Sequence, residues 1–164
     1  MQARARTRRP PPRPVSAARR SPTAHARVRD IMSSPVEFLE MGDSLDLAQH
    51  LMKAGRIRHL PVVDGRQRLI GLVTHRKLLA AWVGHGDPAH ERPREIAREI
   101  PVDMLMETRV FTTTPDTPAA AAARIIERER IGCLPVVEGG KLVGIVTEAD
   151  FVRLARKLLG RSDA

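Results

Sequence analysis

The chain repeats itself, and that duplication restricts the fold more than any other feature of the sequence. Leu60, Pro61, Val62 and Val63 return 74 residues later as Leu134, Pro135, Val136 and Val137. Gly71, Leu72, Val73 and Thr74 return as Gly144, Ile145, Val146 and Thr147, here 73 residues on. The one-residue difference falls in the turn between the two motifs: Asp64, Gly65, Arg66 and Gln67 in the first copy, Gly139 and Gly140 in the second. Further upstream, Asp30, Ile31 and Met32 are echoed by Met104, Leu105 and Met106. A solenoid needs three or more units to bury its faces, so two copies predict a pair packed on one another with pseudo-two-fold symmetry.

Each copy reads as β-α-β-β-α, which makes the fold class α/β. In the first, residues 36–39 form a brief strand. Leu45, Leu47, Ala48, Leu51 and Met52 then mark one face of a helix, capped by Asp43 or Ser44 and ended near Gly55. Residues 60–63 and 69–73 are β-rich runs joined by a turn, and Thr74 opens a second helix that runs through Trp82. In the second copy Val110 and Phe111 stand for the first strand and residues 116–127 for the first helix. The expected organisation is a tail over 1–27, one repeat over 28–83, a Gly/Pro-marked linker over 84–100 with a short helical stretch at 94–99, and the second repeat over 101–160.

A net charge of +9 suggests a nucleic-acid partner until it is located. The first 27 residues hold eight of the 28 basic side chains and none of the 19 acidic ones, which leaves 20 against 19 in the rest. Basicity therefore belongs to the tail. Its arginines, alanines and five prolines cannot bury enough apolar surface to offset ordering, so disorder is expected. A solvated extension is the favoured reading; the alternatives are an arm contacting nucleic acid and a targeting presequence, whose amphipathic helix the prolines would break. Tyrosine is absent and the aromatic residues are Phe38, Phe111, Phe151 and Trp82, too few for single-strand stacking platforms. No apolar run approaches the roughly 20 residues that span a bilayer. The lone Cys133 cannot form an internal disulfide, so a cytoplasmic setting is the expectation.

The second copy ends its hairpin by running directly into a helix, with Thr147 as N-cap and Asp150 at N3. A capping box carries Glu or Gln at N3. The shorter Asp leaves its carboxylate partly free to accept hydrogen bonds from another group, such as the vicinal hydroxyls of a ribose. Cap and ligand acceptor are both open roles here. The first copy carries Lys77 instead of the acid, and an ammonium has no acceptor for a hydroxyl.

Taken together, the lead-ins, the Leu-Pro-Val-Val pairs and the Gly-x-Val-Thr segments resemble a tandem pair of cystathionine-β-synthase (CBS) domains, a Bateman module, over about residues 28–160. The resemblance implies two small three-stranded sheets with helices around an approximate two-fold axis, and two clefts between the repeats. It also implies a regulatory module without catalysis, one that binds AMP, ADP, ATP or S-adenosylmethionine, needs no cofactor, dimerises with itself, and signals to a client protein. Carried over by position, one intact cleft comprises Thr147 and Asp150 with Ser33, Phe38, Ile57 and Arg58. For Phe38 the alternative is core packing; for Arg58 it is solvation. The other cleft departs from the pattern at Thr74, Lys77 and Glu107, Glu107 standing where the intact cleft has Ser33. His75, Arg76 and Lys77 at a helix start are either phosphate contacts or a solvated basic turn.

The residues offer no competing chemistry. There is no nucleophile motif, phosphate-binding glycine loop or dinucleotide fingerprint, so no enzyme activity is expected. His25, His50, His59, His75, His85 and His90 lack the paired spacing of zinc sites, so no metal is expected either.

Overall fold

Branched side chains fill the two hairpins at the centre of the molecule, a composition suited to pleated, half-buried surface. In this computed structural model the described residues are 26–83 and 99–160. The Arg-rich segment up to residue 25, most of the linker and all but the last residue of the helical stretch expected at 94–99 lie outside them.

β1 (Leu39–Glu40) runs parallel to β2 (His59–Val63), and β2 runs antiparallel to β3 (Leu69–Thr74), forming a three-stranded sheet. In the second repeat β4 (Cys133–Glu138) pairs antiparallel with β5 (Lys141–Thr147), Leu134 facing Val146 as Leu60 faces Val73. This sheet has two strands where three were expected. The strand predicted at Val110 and Phe111 is replaced by a single parallel bridge between Thr113 and Val136. Proline explains the difference. In the first repeat Met41 extends the ladder by donating its N–H to the Val63 carbonyl at 3.1 Å. Pro115 occupies the equivalent position and has no N–H to donate.

α1 (Leu45–Gly55) starts at Ser44, whose hydroxyl accepts the Leu47 N–H at 3.2 Å. It ends at Gly55 as expected, yet the left-handed residue is the next one, Arg56 (φ 52°). α2 (His75–Val83) follows β3 without a break. α3 (Ala119–Glu129) begins three residues later than its expected start at 116, behind Pro118, and ends on a left-handed Arg130 (φ 53°). α4 (Glu148–Leu159) closes the second repeat.

Packing does not respect the sequence repeats. Each repeat opens with a 3-10 turn, Val28–Asp30 and Val102–Met104. Val28, fully buried, packs with Ala122, Ile126, Leu134 and Val146 of the second repeat. Val102, likewise fully buried, packs with Leu39, Ala48, Met52 and Leu60 of the first. The backbone follows the same exchange. Ser33 and Ile145 share two hydrogen bonds of 2.9 and 3.1 Å, and Glu107 and Leu72 share two of 2.8 and 3.0 Å. Each repeat thus completes the core and sheet of the other.

One core position is imperfect. Thr113 is buried at 6 % exposure, and its hydroxyl has no hydrogen-bond partner among the described residues. Leu39 fills the equivalent place in the first repeat. An unmet buried hydroxyl costs about 1–3 kcal/mol, so Thr113→Val is expected to stabilise the protein by about 1 kcal/mol. Urea denaturation should show a higher midpoint at unchanged slope.

Candidate functional site

The exchange of lead-ins opens a cleft between the repeats. The segment after the first 3-10 turn supplies Ser33, Pro35 and Glu37. The stretch between α1 and β2 supplies Arg56, Ile57, Arg58 and His59, and the second repeat supplies Gly132, Ile145, Thr147, Glu148 and Arg153. The cleft encloses about 500 Å³, within the range of small-molecule sites. Ile57 and Ile145 give it apolar wall between polar edges.

Its base is the start of α4. Asp150 is only 1 % exposed. Its Oδ2 accepts hydrogen bonds from the Thr147 backbone N–H at 2.7 Å and from the Thr147 hydroxyl at 2.8 Å. The Arg153 guanidinium donates to its Oδ1. Thr147 is therefore the N-cap and Asp150 the N3 partner, as the sequence predicts. The expectation of a partly free carboxylate does not hold. Both oxygens are engaged, because Asp at N3 still reaches the cap and a residue three positions later on the helix reaches back to it.

Beside the start of α4, where the Gly132 carbonyl accepts the Glu148 N–H at 3.2 Å, the His59 ring rests on Gly132. A Cβ there would lie 2.9 Å from both Cε1 and Nε2 of the ring. Burial lowers the pKa of His59, Arg58 adds to the lowering, and Glu148 opposes it. Nearby Cys133 is 3 % exposed, and burial holds its thiol up at about 12, well outside the range of a nucleophile.

The equivalent positions of the first repeat are arranged differently. Thr74 caps α2 by accepting the Lys77 N–H at 3.3 Å. The Lys77 Nζ then bonds Glu107 Oε2 at 2.8 Å. That hydrogen bond is the main reason the Glu107 carboxyl is held below its ordinary range. The two departures from the family pattern are thus partners, an ion pair across the place where the other cleft has Asp150 and Ser33.

Of the predicted site residues, the structure brings Ser33, Ile57, Arg58 and Thr147 to one cleft. Asp150 is buried and does not line it, and reaches it only through its bonds to Thr147 and Arg153. Phe38 is half-buried and does not line it. His75 lines a neighbouring groove of about 380 Å³ between α1 and α2, together with Lys53, Arg56 and Arg58. Lys77 is taken by Glu107, and Arg76 is exposed on α2 outside both. Sequence reading missed Arg153, Arg56, His59 and Glu148. Of these, Arg153 had a usable signal, its spacing of three from Asp150 on one helix face.

The family model of the CBS domain matches residues 28–84 and 97–157. The chain belongs to the CBS domain family. Solved structures agree with that assignment. The acetoin utilization protein AcuB of Vibrio cholerae superimposes with a TM-score of 0.71 at 36 % identity, over 84 % of this chain and 96 % of that one. The CBS domain pair of MJ0100, solved with 5′-methylthioadenosine and S-adenosylmethionine, gives 0.67 at 26 % identity, over 80 % and 97 %. CBSX2, solved with AMP, also gives 0.67, at 27 % identity over 80 % and 97 %. Curated relatives include a homoserine O-acetyltransferase of Methanococcoides burtonii, 33 % identical over 79 % of this chain. The CBS chain spans only 24 % of that enzyme, and 13 % and 45 % of two other relatives. The matched region is the CBS pair alone. Among the described residues no helix is long and apolar enough to cross a membrane.

Proposed function

We propose that this CBS pair is a regulatory sensor that binds one adenosine-containing ligand per chain, with no catalysis of its own. The ligand occupies the cleft of Ser33, Ile57, Arg58, Thr147 and Asp150, with adenine on the Ile57 side and ribose over the start of α4. The observation that carries this reading is the asymmetry of the two clefts. One is an open space of about 500 Å³ lined by Thr147 and Arg153, the two residues bonded to the Asp150 carboxylate. In the other the equivalent positions are bridged by the 2.8 Å pair of Lys77 and Glu107. Relatives of the same architecture were solved with AMP and with S-adenosylmethionine, which supports the ligand class. Because the walls come from both repeats, a bound ligand favours one arrangement of the repeats and passes its signal through that shift. The signal leaves through a client protein or a homodimer. Leu79 on α2 and Val152 on α4, 49 % and 67 % exposed, offer equivalent apolar positions to a second copy.

A thermal-shift panel of AMP, ADP, ATP, S-adenosylmethionine and NADH tests the reading, followed by calorimetry. A ligand at a hundred times its Kd stabilises by about 2.7 kcal/mol, an easily resolved shift. The expected stoichiometry is one per chain. Two equivalent sites, or no shift with any adenosine compound, would overturn the proposal.

A further inference from the structure

Arg153 holds the carboxylate that the nucleotide reading requires. Asp150 is 1 % exposed, its Oδ2 already accepts two hydrogen bonds from Thr147, and its Oδ1 accepts from the Arg153 guanidinium. A carboxylate oxygen has about two lone-pair sites, so Oδ2 is filled. Oδ1 keeps one open site, but the side chain is 1 % exposed, so a ribose hydroxyl reaches it only where one of its partners gives way. Arg153, which lines the cleft and is 58 % exposed along its side chain, is the partner placed to do so. The exchange is not symmetric. It replaces a charged donor with a neutral one, and charge-assisted hydrogen bonds are roughly twice as strong as neutral ones. It also releases a cation into the cleft that Arg153 lines.

What becomes of that cation depends on the ligand. A phosphate on the ligand gives the guanidinium a new bidentate partner and restores the ion pair. An uncharged nucleoside restores nothing, and a sulfonium centre brings a second positive charge. The surroundings act in the same direction. Arg56 and Arg58 line the cleft and also the adjoining groove, where Lys53 and His75 join them and no acidic residue does. The acidic residues lining the cleft itself are Glu37 and Glu148.

We propose that Arg153 is a specificity-determining latch: it closes on Asp150 in the empty cleft and leaves it for an anionic group, so that the cleft selects adenosine phosphates over uncharged and sulfonium adenosine compounds. This inference rests on the adenosine-binding reading above. Arg153 is 58 % exposed along its side chain, so replacing it leaves the fold in place.

Calorimetry on the full chain, with AMP and adenosine as probes, tests the latch in the wild type, Arg153→Met and Arg153→Lys. The wild type is expected to prefer AMP by about tenfold or more, the scale of one charge-assisted contact. Arg153→Met should bind adenosine more tightly and AMP more weakly, bringing the ratio towards one. Arg153→Lys should recover part of the preference. An unchanged ratio in Arg153→Met overturns the latch and leaves the nucleotide cleft standing. Equal binding of AMP and adenosine by the wild type overturns the latch in the same way. Binding of neither compound by the wild type overturns the latch, and it overturns the cleft reading as well when no other adenosine compound of the panel binds.

Discussion

Asp150→Ala is expected to lower the melting temperature by roughly 5–10 °C and to weaken any ribose-containing ligand by about a hundredfold. The two effects have separate origins. Stability falls because the carboxylate is an interior cap: its Oδ2 takes both the N–H and the hydroxyl of Thr147, and the side chain is 1 % exposed. Losing a cap costs about 1–2 kcal/mol. The Arg153 guanidinium, more than half exposed, contributes little to this term because water replaces its partner. Binding falls because the ribose loses its charged acceptor. Asp150→Asn separates the two, since a carboxamide oxygen can still accept from Thr147 but carries no charge. Most of the stability should return in that variant while ligand affinity stays low. Full affinity in both variants, read by calorimetry, would remove Asp150 from the site.

Lys77 shows why this experiment needs two substitutions. The first repeat builds the same strand-to-helix junction with a lysine at the equivalent place, so the fold does not demand an acid there. From sequence alone that comparison speaks against a structural role for Asp150. The structure shows a different solution in each repeat. In the first, the Thr74 hydroxyl accepts from the Lys77 N–H and the lysine head reaches Glu107. In the second, the acid turns inward to Thr147. Asp150 is therefore both the N3 half of the capping box of α4 and the candidate acceptor for ligand, and neither role excludes the other.

The elements that could be read from the sequence are those with a local signature: the strand runs, the Ser44 and Thr147 caps, the glycine turn at 139–140, and the duplication itself, to which the family resemblance added two related clefts. The replacements at Lys77 and Glu107 were also visible, but only as two separate departures. Their pairing depends on residues 30 apart in the chain meeting across the repeats. The exchange of lead-ins was hidden for a similar reason. A three-residue turn with one buried valine has no periodicity that assigns it to either core. The lost strand of the second sheet depended on one missing N–H, at Pro115, whose effect appears only once Met41 is seen donating to Val63. Arg153 reads in sequence as an ordinary surface partner of an acid three residues earlier, and only the burial of Asp150 gives it weight.

Gly144→Val is expected to destabilise the protein by about 3 kcal/mol and to impair ligand binding with it. No unusual backbone angle requires glycine here; the requirement is space. A Cβ at Gly144 would sit 2.9 Å from the Met32 sulfur and 2.9 Å from the Ser33 carbonyl oxygen. The methionine can bend away, but the carbonyl accepts the Ile145 N–H at 3.1 Å and cannot move without breaking the pair that joins the repeats. Ser33 is also a wall of the candidate cleft, so the same displacement should reach the ligand. The duplicate glycine faces the same crossing, with Met106 of the other lead-in pressed against Gly71. Gly65→Ala is the control, because a Cβ there meets nothing within 4 Å; it should stay within about 0.5 kcal/mol of wild type. Urea midpoints for the two variants decide the matter, and an unchanged midpoint for Gly144→Val would show that the lead-in is not clamped against β5. The glycine of each Gly-x-Val-Thr segment then has a physical cause: it is the point where one repeat's lead-in crosses the other's strand, and the crossing that completes the two cores also builds the wall of the cleft.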